Sequence, residues 1–138
     1  MRVPKEAAVE VLSSRVLLRP SDFERSRRFY EETLGLHIYR EFASRTGRGI
    51  VFFLGSGFLE LSGLAPPAER GRVSLWLQVP DLAETHRELA AAGVEILDGP
   101  ERKPWGLDEM WIADPDGVRI VLVEVPVDHP LRWRPDPD

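Results

Sequence analysis

Cysteine is absent from the 138 residues of this chain. Disulfide bonds, thiolate metal ligands and cysteine nucleophiles are therefore excluded. The sequence also has no apolar run of membrane-spanning length and no apolar signal-peptide core near its first residue, so we expect no membrane partner and a cytoplasmic location. The arginines are interleaved with acidic residues, and the formal net charge is -5, which argues mildly against nucleic acid as a partner.

The remaining composition is that of an ordinary globular domain. Hydrophobic residues make up 43% of the sequence and charged residues 30%. A chain of this length supports one hydrophobic core but not two independent ones. We therefore predict a single domain over residues 1–138, and any repeats within it must share that core.

The sequence contains an internal repeat. The segments 21–36 and 80–94 each follow an extended apolar run and have, as their second residue, an aspartate that can cap a helix. Each then continues as one amphipathic helix and reaches a glycine that can end it. Each half reads as β-α-β-β-β. The predicted strands are 11–19, 37–42, 48–54 and 58–62 in the first half and 73–79, 94–97, 108–113 and 118–124 in the second.

The segments outside the repeat differ in composition. Residues 1–10 look like a loose arm, and residues 63–72 are rich in Pro and Gly, which predicts a linker. The tail at 126–138 is too rich in Pro to be regular. The expected organisation is therefore module one at about 11–62, the linker, module two at about 73–125, and the tail.

Two motifs resemble a known family. The run Ser21-Asp22-Phe23-Glu24-Arg25-Ser26-Arg27-Arg28-Phe29-Tyr30 with Leu34-Gly35, and Pro104-Trp105-Gly106 followed by the turn Asp114-Pro115-Asp116-Gly117, resemble the vicinal oxygen chelate superfamily. This is the glyoxalase, bleomycin-resistance and extradiol-dioxygenase group, and the resemblance covers about residues 11–125. It implies an α+β fold in which two β-α-β-β-β modules form an open, cup-shaped, eight-stranded mixed sheet. It also implies a homodimer that holds a small-molecule ligand in the cup.

The resemblance also locates the positions at which relatives hold a divalent metal, usually with two histidines and two glutamates. In this sequence those positions are Arg15, Glu60, Ser74 and Val121. Only Glu60 keeps a metal ligand, because a guanidinium does not lose its proton and valine has no lone pair. None of the three histidines, His37, His86 and His129, occupies one of these positions. We therefore expect no metal cofactor, the alternative being an atypical divalent-metal site.

Strand alternation sorts the side chains of the predicted sheet into two faces. The face that carries the four positions is predicted to line the cup, and the other, more apolar face is predicted to pack on the helices. The turns between strands predict that Val51 and Phe53 share the face of Glu60, that Met110 and Ile112 share the face of Val121, and that Trp111 faces the helices. The candidate ligand-binding residues are Arg15, Arg19, Phe53, Phe58, Glu60, Ser74, Trp76, Gln78, Trp105, Met110 and Val121.

A carboxylate at position 60 needs a partner if it is buried, because desolvating an unpaired charge is costly. We therefore hypothesise an ion pair between Arg15 and Glu60 at the floor of the cup. The alternative is that both are solvated surface charges. Trp76 is either a ligand contact or filler, and Trp105 is either a lid or a packing residue.

The sequence leaves three functions open. The first is a metal-independent binding protein of the bleomycin-resistance type, which sequesters an aromatic or planar metabolite or antibiotic. The second is a glyoxalase-like lyase, isomerase or dioxygenase that uses Glu60 as general base or an atypical metal site. The third is an accessory domain without a ligand. The fold alone does not decide among them, because one scaffold can host several functions.

Overall fold

The computed structural model of the chain describes residues 11–44, 47–64 and 73–131. The arm predicted at 1–10, most of the predicted linker and the end of the predicted tail lie outside these residues. Module one contains β1 (Arg15–Leu18), α1 (Phe23–Arg28) with a π-helical continuation (Phe29–Thr33), β2 (Ile38–Ser44), β3 (Gly47–Leu54) and β4 (Gly57–Ser62). Module two contains β5 (Leu75–Gln78), α2 (Leu82–Ala91), β6 (Asp98–Arg102), β7 (Asp108–Ala113) and β8 (Arg119–Glu124).

Both helices begin and end as the repeat predicts. The side chains of Asp22 and Asp81 accept hydrogen bonds from the backbone N–H three residues later, at 3.1 and 3.0 Å. Gly35 and Gly93 follow the helices with φ of +72° and +81°, a conformation that other residues rarely adopt. Neither helix in the described part of the chain is long and apolar enough to cross a membrane.

The strands confirm the predicted α+β fold of two β-α-β-β-β modules. They form two four-stranded mixed sheets, with the orders β1-β4-β3-β2 and β5-β8-β7-β6. In each sheet the first strand of the module pairs in parallel with the last, and the other pairs are antiparallel. Since all strand pairing among the described residues stays within a module, β1 and β5 each lie at the edge of a sheet.

One hydrophobic core joins the two modules, as the length of the chain predicts. Most of its members are strand residues that alternate with residues of the opposite face. One tyrosine from the first helix and two leucines from the second helix complete it. The core members are Tyr30, Ile50, Phe52, Leu59 and Leu61 from module one, and Leu75, Leu82, Leu89, Met110, Ile112, Ile120 and Leu122 from module two.

A buried hydrogen bond also connects the modules. The Tyr30 hydroxyl on the π-helical turn donates to Asp114 Oδ2 at 2.8 Å, and both side chains lie in the interior. Burial and the adjacent carboxylate raise the pKa of Tyr30 far above its ordinary value, so the hydroxyl remains a donor. Nearby, the Ser21 backbone N–H donates to Asp116 at 3.0 Å. The start of the first helix is thereby fixed to the β7–β8 turn.

The β7–β8 register corrects the predicted faces. A four-residue turn would have placed Met110 and Ile112 beside Val121, and Trp111 toward the helices. In the structure Trp111 lies opposite Val121, while Met110 and Ile112 are fully buried in the core. The inclusion of Met110 among the cup residues was therefore wrong.

The cause lies in the side chain of Asp114. Its Oδ1 accepts the backbone N–H of Val118 at 2.9 Å, and its own N–H donates to the Val118 carbonyl, also at 2.9 Å. These bonds draw Val118 into the turn, so the first strand pair is Ala113 with Arg119. A register shift of one residue moves every side chain to the other face of the strand.

The strand predicted at 94–97 is also displaced. Val94 and Ile96 pack against the core as partly buried residues, and the strand that pairs with β7 is β6. All five residues of β6 are exposed. An exposed edge strand has no buried face to impose apolar alternation, so the hydrophobic pattern pointed to the preceding segment instead.

Replacing Tyr30 by Phe removes the donor to Asp114 while keeping the ring. We expect the free energy of unfolding to fall by about 1–3 kcal/mol, because a buried carboxylate loses one of its partners. Urea denaturation at pH 7 measures this change. Tyr39→Phe is the matched control, since Tyr39 is an exposed tyrosine, and its effect should stay within about 0.5 kcal/mol. Equal losses in the two variants would contradict the role given to the buried bond.

Candidate ligand-binding site

One face of the first sheet collects most of the predicted site residues of module one. Val51 pairs with Glu60, and Phe53 pairs with Phe58, which confirms the predicted register of the β3–β4 hairpin. We call this side of the sheet the Glu60 face. Its strand residues are Arg15, Leu17, Arg40, Phe42, Val51, Phe53, Phe58, Glu60 and Ser62.

The predicted ion pair is present on this face. Arg15 Nη1 donates to Glu60 Oε1 at 2.8 Å, and the Ser62 hydroxyl donates to Glu60 Oε2 at 2.7 Å. The side chain of Glu60 is 14% exposed and that of Arg15 is 37% exposed, so the carboxylate is the more buried partner. Both carboxylate oxygens of Glu60 are thus engaged.

These contacts determine the protonation of Glu60. Burial alone would raise its pKa, but the hydrogen bonds from Ser62 and Arg15 outweigh that effect. The positive charges of Arg15 and Arg40 act in the same direction. The pKa of Glu60 is therefore lowered below its ordinary value, and the side chain is an anion at neutral pH.

Three aromatic rings form a contiguous cluster beside the ion pair. Tyr39 lies 5.1 Å from Phe53 and 4.9 Å from Phe58 between ring centroids, and the two phenylalanines lie 5.7 Å apart. Tyr39 is 50% exposed and Phe53 is 45% exposed. The cluster therefore offers a wide aromatic surface to a planar molecule.

A β-bulge brings Tyr39 into this cluster. The β2–β3 register shifts between Ile38, which pairs with Phe52 in the core, and Arg40, which pairs with Val51 on the Glu60 face. Tyr39 is the additional residue between them, and its ring contacts the Glu60 face as well. A bulge of this kind turns a side chain away from simple alternation, so sequence reasoning missed both Tyr39 and Arg40.

The corresponding face of the second sheet is more tightly packed. Val121 pairs with both Trp76 and Trp111, so we call this side the Val121 face. Val121 and Val123 are buried, together with Leu107 and Val125, in a second apolar cluster. Trp76 lies on the edge strand and stays 49% exposed. The centre of the face is thus apolar and buried, and the Trp76 indole at its edge is accessible.

Glu109 is a buried carboxylate that sequence reasoning missed. It pairs with Val123 and is therefore on the Val121 face. The Trp105 indole N–H donates to Glu109 Oε2 at 2.7 Å, and the Trp105 carbonyl lies 3.2 Å from His129 Nε2. Only the correct β7–β8 register could have placed Glu109 here. Trp105 is thus held by hydrogen bonds, while the residue remains 58% exposed.

The structure divides the predicted site residues among several places. Arg15, Phe53, Phe58 and Glu60 lie together on the Glu60 face, whereas Trp76, Gln78 and Val121 lie together on the Val121 face. Arg19 and Ser74 are exposed residues just outside β1 and β5. Trp105 borders the Val121 face through Glu109, and Met110 belongs to the core.

The side chains at the four expected metal positions do not fit a metal site. Arg15 is a cation that already pairs with Glu60, and Val121 offers no donor atom. Ser74 and Val121 belong to the other module. Within residues 11–44, 47–64 and 73–131, no three His, Cys, Asp or Glu side chains are grouped so that they could hold a metal ion.

A separate groove of about 620 Å³ lies between the modules. Leu34 and Leu36 line it from the end of the first helix, Leu89 from α2, and Trp76 and Gln78 from β5. Arg15 and Glu60 do not line this groove. The Glu60 face is therefore a distinct, open surface.

The doubled β-α-β-β-β arrangement places the chain in a class of two-module α+β proteins. A family model described as the Glyoxalase/Bleomycin resistance protein/Dioxygenase superfamily matches residues 13–122, and the chain belongs to this superfamily. No curated protein shows a significant sequence match to the chain.

Several solved structures share the fold. The antibiotic-binding protein TnmS3 from Streptomyces sp. CB03234 is 26% identical, with 88% of this chain and 100% of that one covered and a TM-score of 0.73. A glyoxalase/bleomycin resistance protein from the same organism is 27% identical, with 80% and 97% covered and a TM-score of 0.66. A superfamily member from Sphaerobacter thermophilus is 26% identical, with 83% and 98% covered and a TM-score of 0.67.

Replacing Glu60 by Gln should destabilise the protein in a pH-dependent way. Because folding lowers the pKa of Glu60, its charged form contributes stability above the ordinary pKa of 4.5, and this contribution is lost as pH falls through the folded pKa. We expect the free energy of unfolding at pH 7 to be higher for wild type than for Glu60→Gln by up to about 1 kcal/mol, since the ion pair is partly exposed. This difference in unfolding free energy should disappear below pH 4.5.

Urea denaturation between pH 3 and pH 7 measures this gap. Glu95→Gln is the matched control, because Glu95 is exposed and forms no ion pair among the described residues. Its effect on unfolding free energy should be small and nearly constant with pH. A Glu60→Gln gap that widens as pH falls would contradict the charge assigned to Glu60.

Proposed function

We propose that this protein binds a planar or aromatic small molecule, such as a metabolite or an antibiotic, and sequesters it without a metal and without catalysis. The observation that carries this proposal is the Arg15–Glu60–Ser62 arrangement, which stands where the family resemblance locates metal ligands. Arg15 neutralises the carboxylate that a metal would otherwise neutralise. The face then remains available for binding through its side chains.

The protonation of Glu60 supports binding over acid–base catalysis. A general base works best when its pKa lies near the working pH. Both oxygens of Glu60 already accept hydrogen bonds, and its pKa lies below the ordinary value. A carboxylate in this state is a weak base, so we do not assign a proton-transfer role to it.

The aromatic cluster supports a planar ligand. Tyr39, Phe53 and Phe58 present adjoining rings, and the first two are about half exposed. Small-molecule sites combine such apolar surface with a few polar groups that orient the ligand. TnmS3, which has a similar fold, is an antibiotic-binding protein. That similarity is consistent with an antibiotic as the ligand.

We further propose that the protein acts as a homodimer. The edge strands β1 and β5 leave backbone groups without strand partners in the described part of one chain. Leu17, Phe53 and Trp76 are large apolar side chains that remain exposed on the two sheets. Apolar surface of this kind is commonly covered by association. A second copy placed over the Glu60 face would also convert this open surface into a closed cup.

A binding assay in chelator tests the main proposal. We expect at least one member of a panel of planar aromatic antibiotics to bind, and its affinity to be the same with and without 1 mM EDTA, by calorimetry at pH 7.5. Phe58→Ala should weaken binding about tenfold or more, because it removes a stacking surface. Leu97→Ala is the control, since Leu97 is an exposed apolar residue of module two.

Metal analysis completes this test. Protein purified without chelator should contain well under one equivalent of divalent metal by plasma mass spectrometry. Stoichiometric metal that disappears in Glu60→Gln would overturn metal independence. Turnover of a bound compound, detected by mass spectrometry after prolonged incubation, would overturn the proposal of sequestration.

Sedimentation velocity tests the dimer. We expect a species of twice the 15.7 kDa chain mass at micromolar concentration. Replacing the exposed Leu17 by Glu should shift the protein toward the monomer, because a charge would then have to be desolvated in the interface. The matched substitution Leu131→Glu, at an exposed site near the end of the described chain, should leave the mass unchanged. A wild-type protein that sediments as a monomer at all concentrations would exclude the dimer.

A further inference from the structure

The charges on the Glu60 face differ in sign from the charge of the whole chain. The formal net charge of the protein is -5. Among the strand residues of this face, however, the ionisable side chains are two arginines, Arg15 and Arg40, and one carboxylate, Glu60. Arg19 follows β1 by one residue and adds a third cation near the end of the face. The face is therefore a locally positive surface on an acidic protein.

Arg40 is not neutralised by a partner. Within the described residues it forms no ion pair, although its charge acts on the nearby Glu60. Glu60 accepts hydrogen bonds from Arg15 and Ser62 and, among the described residues, none from Arg40. The guanidinium of Arg40 lies 5.5 Å from the ring centroid of Phe42, which holds it against the sheet. Its charge is thus available to another anion.

Arg15 retains donor capacity as well. Its Nη1 donates to Glu60, but a guanidinium carries five N–H groups, and the side chain is 37% exposed. The same guanidinium lies 5.9 Å from the ring centroid of Phe58, a member of the aromatic cluster. An anionic oxygen that meets Arg15 would therefore belong to a molecule already in contact with these rings.

The rings and the cations occupy neighbouring positions. Tyr39 immediately precedes Arg40 in the chain, and the bulge directs both residues to the Glu60 face. A cationic aromatic ligand would be repelled by Arg15 and Arg40, and both guanidinium groups already lie over rings that such a cation would otherwise contact. A neutral ring system would leave the charge of Arg40 unused.

From this juxtaposition we infer that the ligand of the Glu60 face is a planar aromatic anion, such as an aromatic carboxylate or a phenolate. Its ring system stacks on Tyr39, Phe53 and Phe58, and its anionic oxygen is held by Arg40 and the free N–H groups of Arg15. Charge-assisted hydrogen bonds of this kind are stronger than neutral ones and orient the bound molecule. The inference rests on the binding function proposed above and specifies the chemical class of its ligand.

Two probes of equal shape test the charge requirement. Anthracene-2-carboxylate is an anion at pH 7.5, and anthracene-2-methanol is its neutral counterpart. We expect calorimetry at low salt to give at least about tenfold tighter binding of the carboxylate, which corresponds to roughly 1.4 kcal/mol. Raising the salt concentration to 0.5 M should reduce this preference, because salt screens partly exposed charges.

Variants assign the effect to residues. Arg40→Gln should weaken carboxylate binding about tenfold and leave the alcohol unchanged, whereas Tyr39→Ala should weaken both probes. Arg28→Gln is the matched control, because Arg28 lies on α1, is exposed and forms no ion pair among the described residues. This control should bind both probes as wild type does. Circular dichroism of each variant excludes loss of folding as the cause.

The outcomes separate the two proposals. Equal binding of both probes, with no effect of Arg40→Gln, would overturn the anion requirement and leave the binding function intact. Failure of both probes and of the whole antibiotic panel would overturn the binding function itself. If Tyr39→Ala changes the sedimenting mass but not probe binding, Tyr39 belongs to the contact between two copies of the chain and not to the ligand site, and the inference is wrong.

Discussion

The buried carboxylate of Asp114 is the contact on which the rest of this structure depends. One oxygen accepts the hydroxyl of Tyr30 and so fixes the first helix to module two. The other accepts the backbone N–H groups of Asp116 and Val118, at 2.8 and 2.9 Å, and so sets the length of the β7–β8 turn. The first contact brings the modules to one core, and the second determines which side chains of β7 point into it. Because the site is buried, loss of either set of bonds leaves polar groups without water to replace them.

The repeat allowed the fold to be predicted because its signals are local. Helix caps at Asp22 and Asp81 act over three residues, and the two-residue loop between Leu54 and Gly57 fixes the β3–β4 register directly. The β7–β8 register could not be read in this way. Its turn depends on side-chain hydrogen bonds from Asp114 to the backbone, which lengthen the loop by one residue. Sequence composition identified the turn but did not reveal its length. One additional residue in the turn places Trp111 instead of Met110 opposite Val121.

The candidate site shows the same division between electrostatic and geometric information. The Arg15–Glu60 pair was predictable, because an unpaired carboxylate is costly to desolvate and Arg15 is a cation on the adjacent strand. Tyr39 and Arg40 were not predictable, since strict alternation assigns neighbouring residues to opposite faces and only a bulge directs both to one. Glu109 was missed because it depends on the β7–β8 register. Side chains whose position depends on one irregular backbone residue could therefore not be placed from the sequence pattern, whereas the ion pair could.

The energetics of the Arg15–Glu60 pair bear on its role. A partly exposed ion pair contributes only about 0–1 kcal/mol to folding, so stability alone is a weak reason to place one on an otherwise aromatic surface. Its chemical effect is more specific: it lowers the pKa of Glu60 and, with Ser62, gives each oxygen of the carboxylate a hydrogen-bond donor. A carboxylate held in this way is a weak base, while the remaining N–H groups of Arg15 stay free to face a ligand. The same contact that disfavours proton transfer at Glu60 is therefore compatible with the proposed binding of an anion beside the aromatic rings.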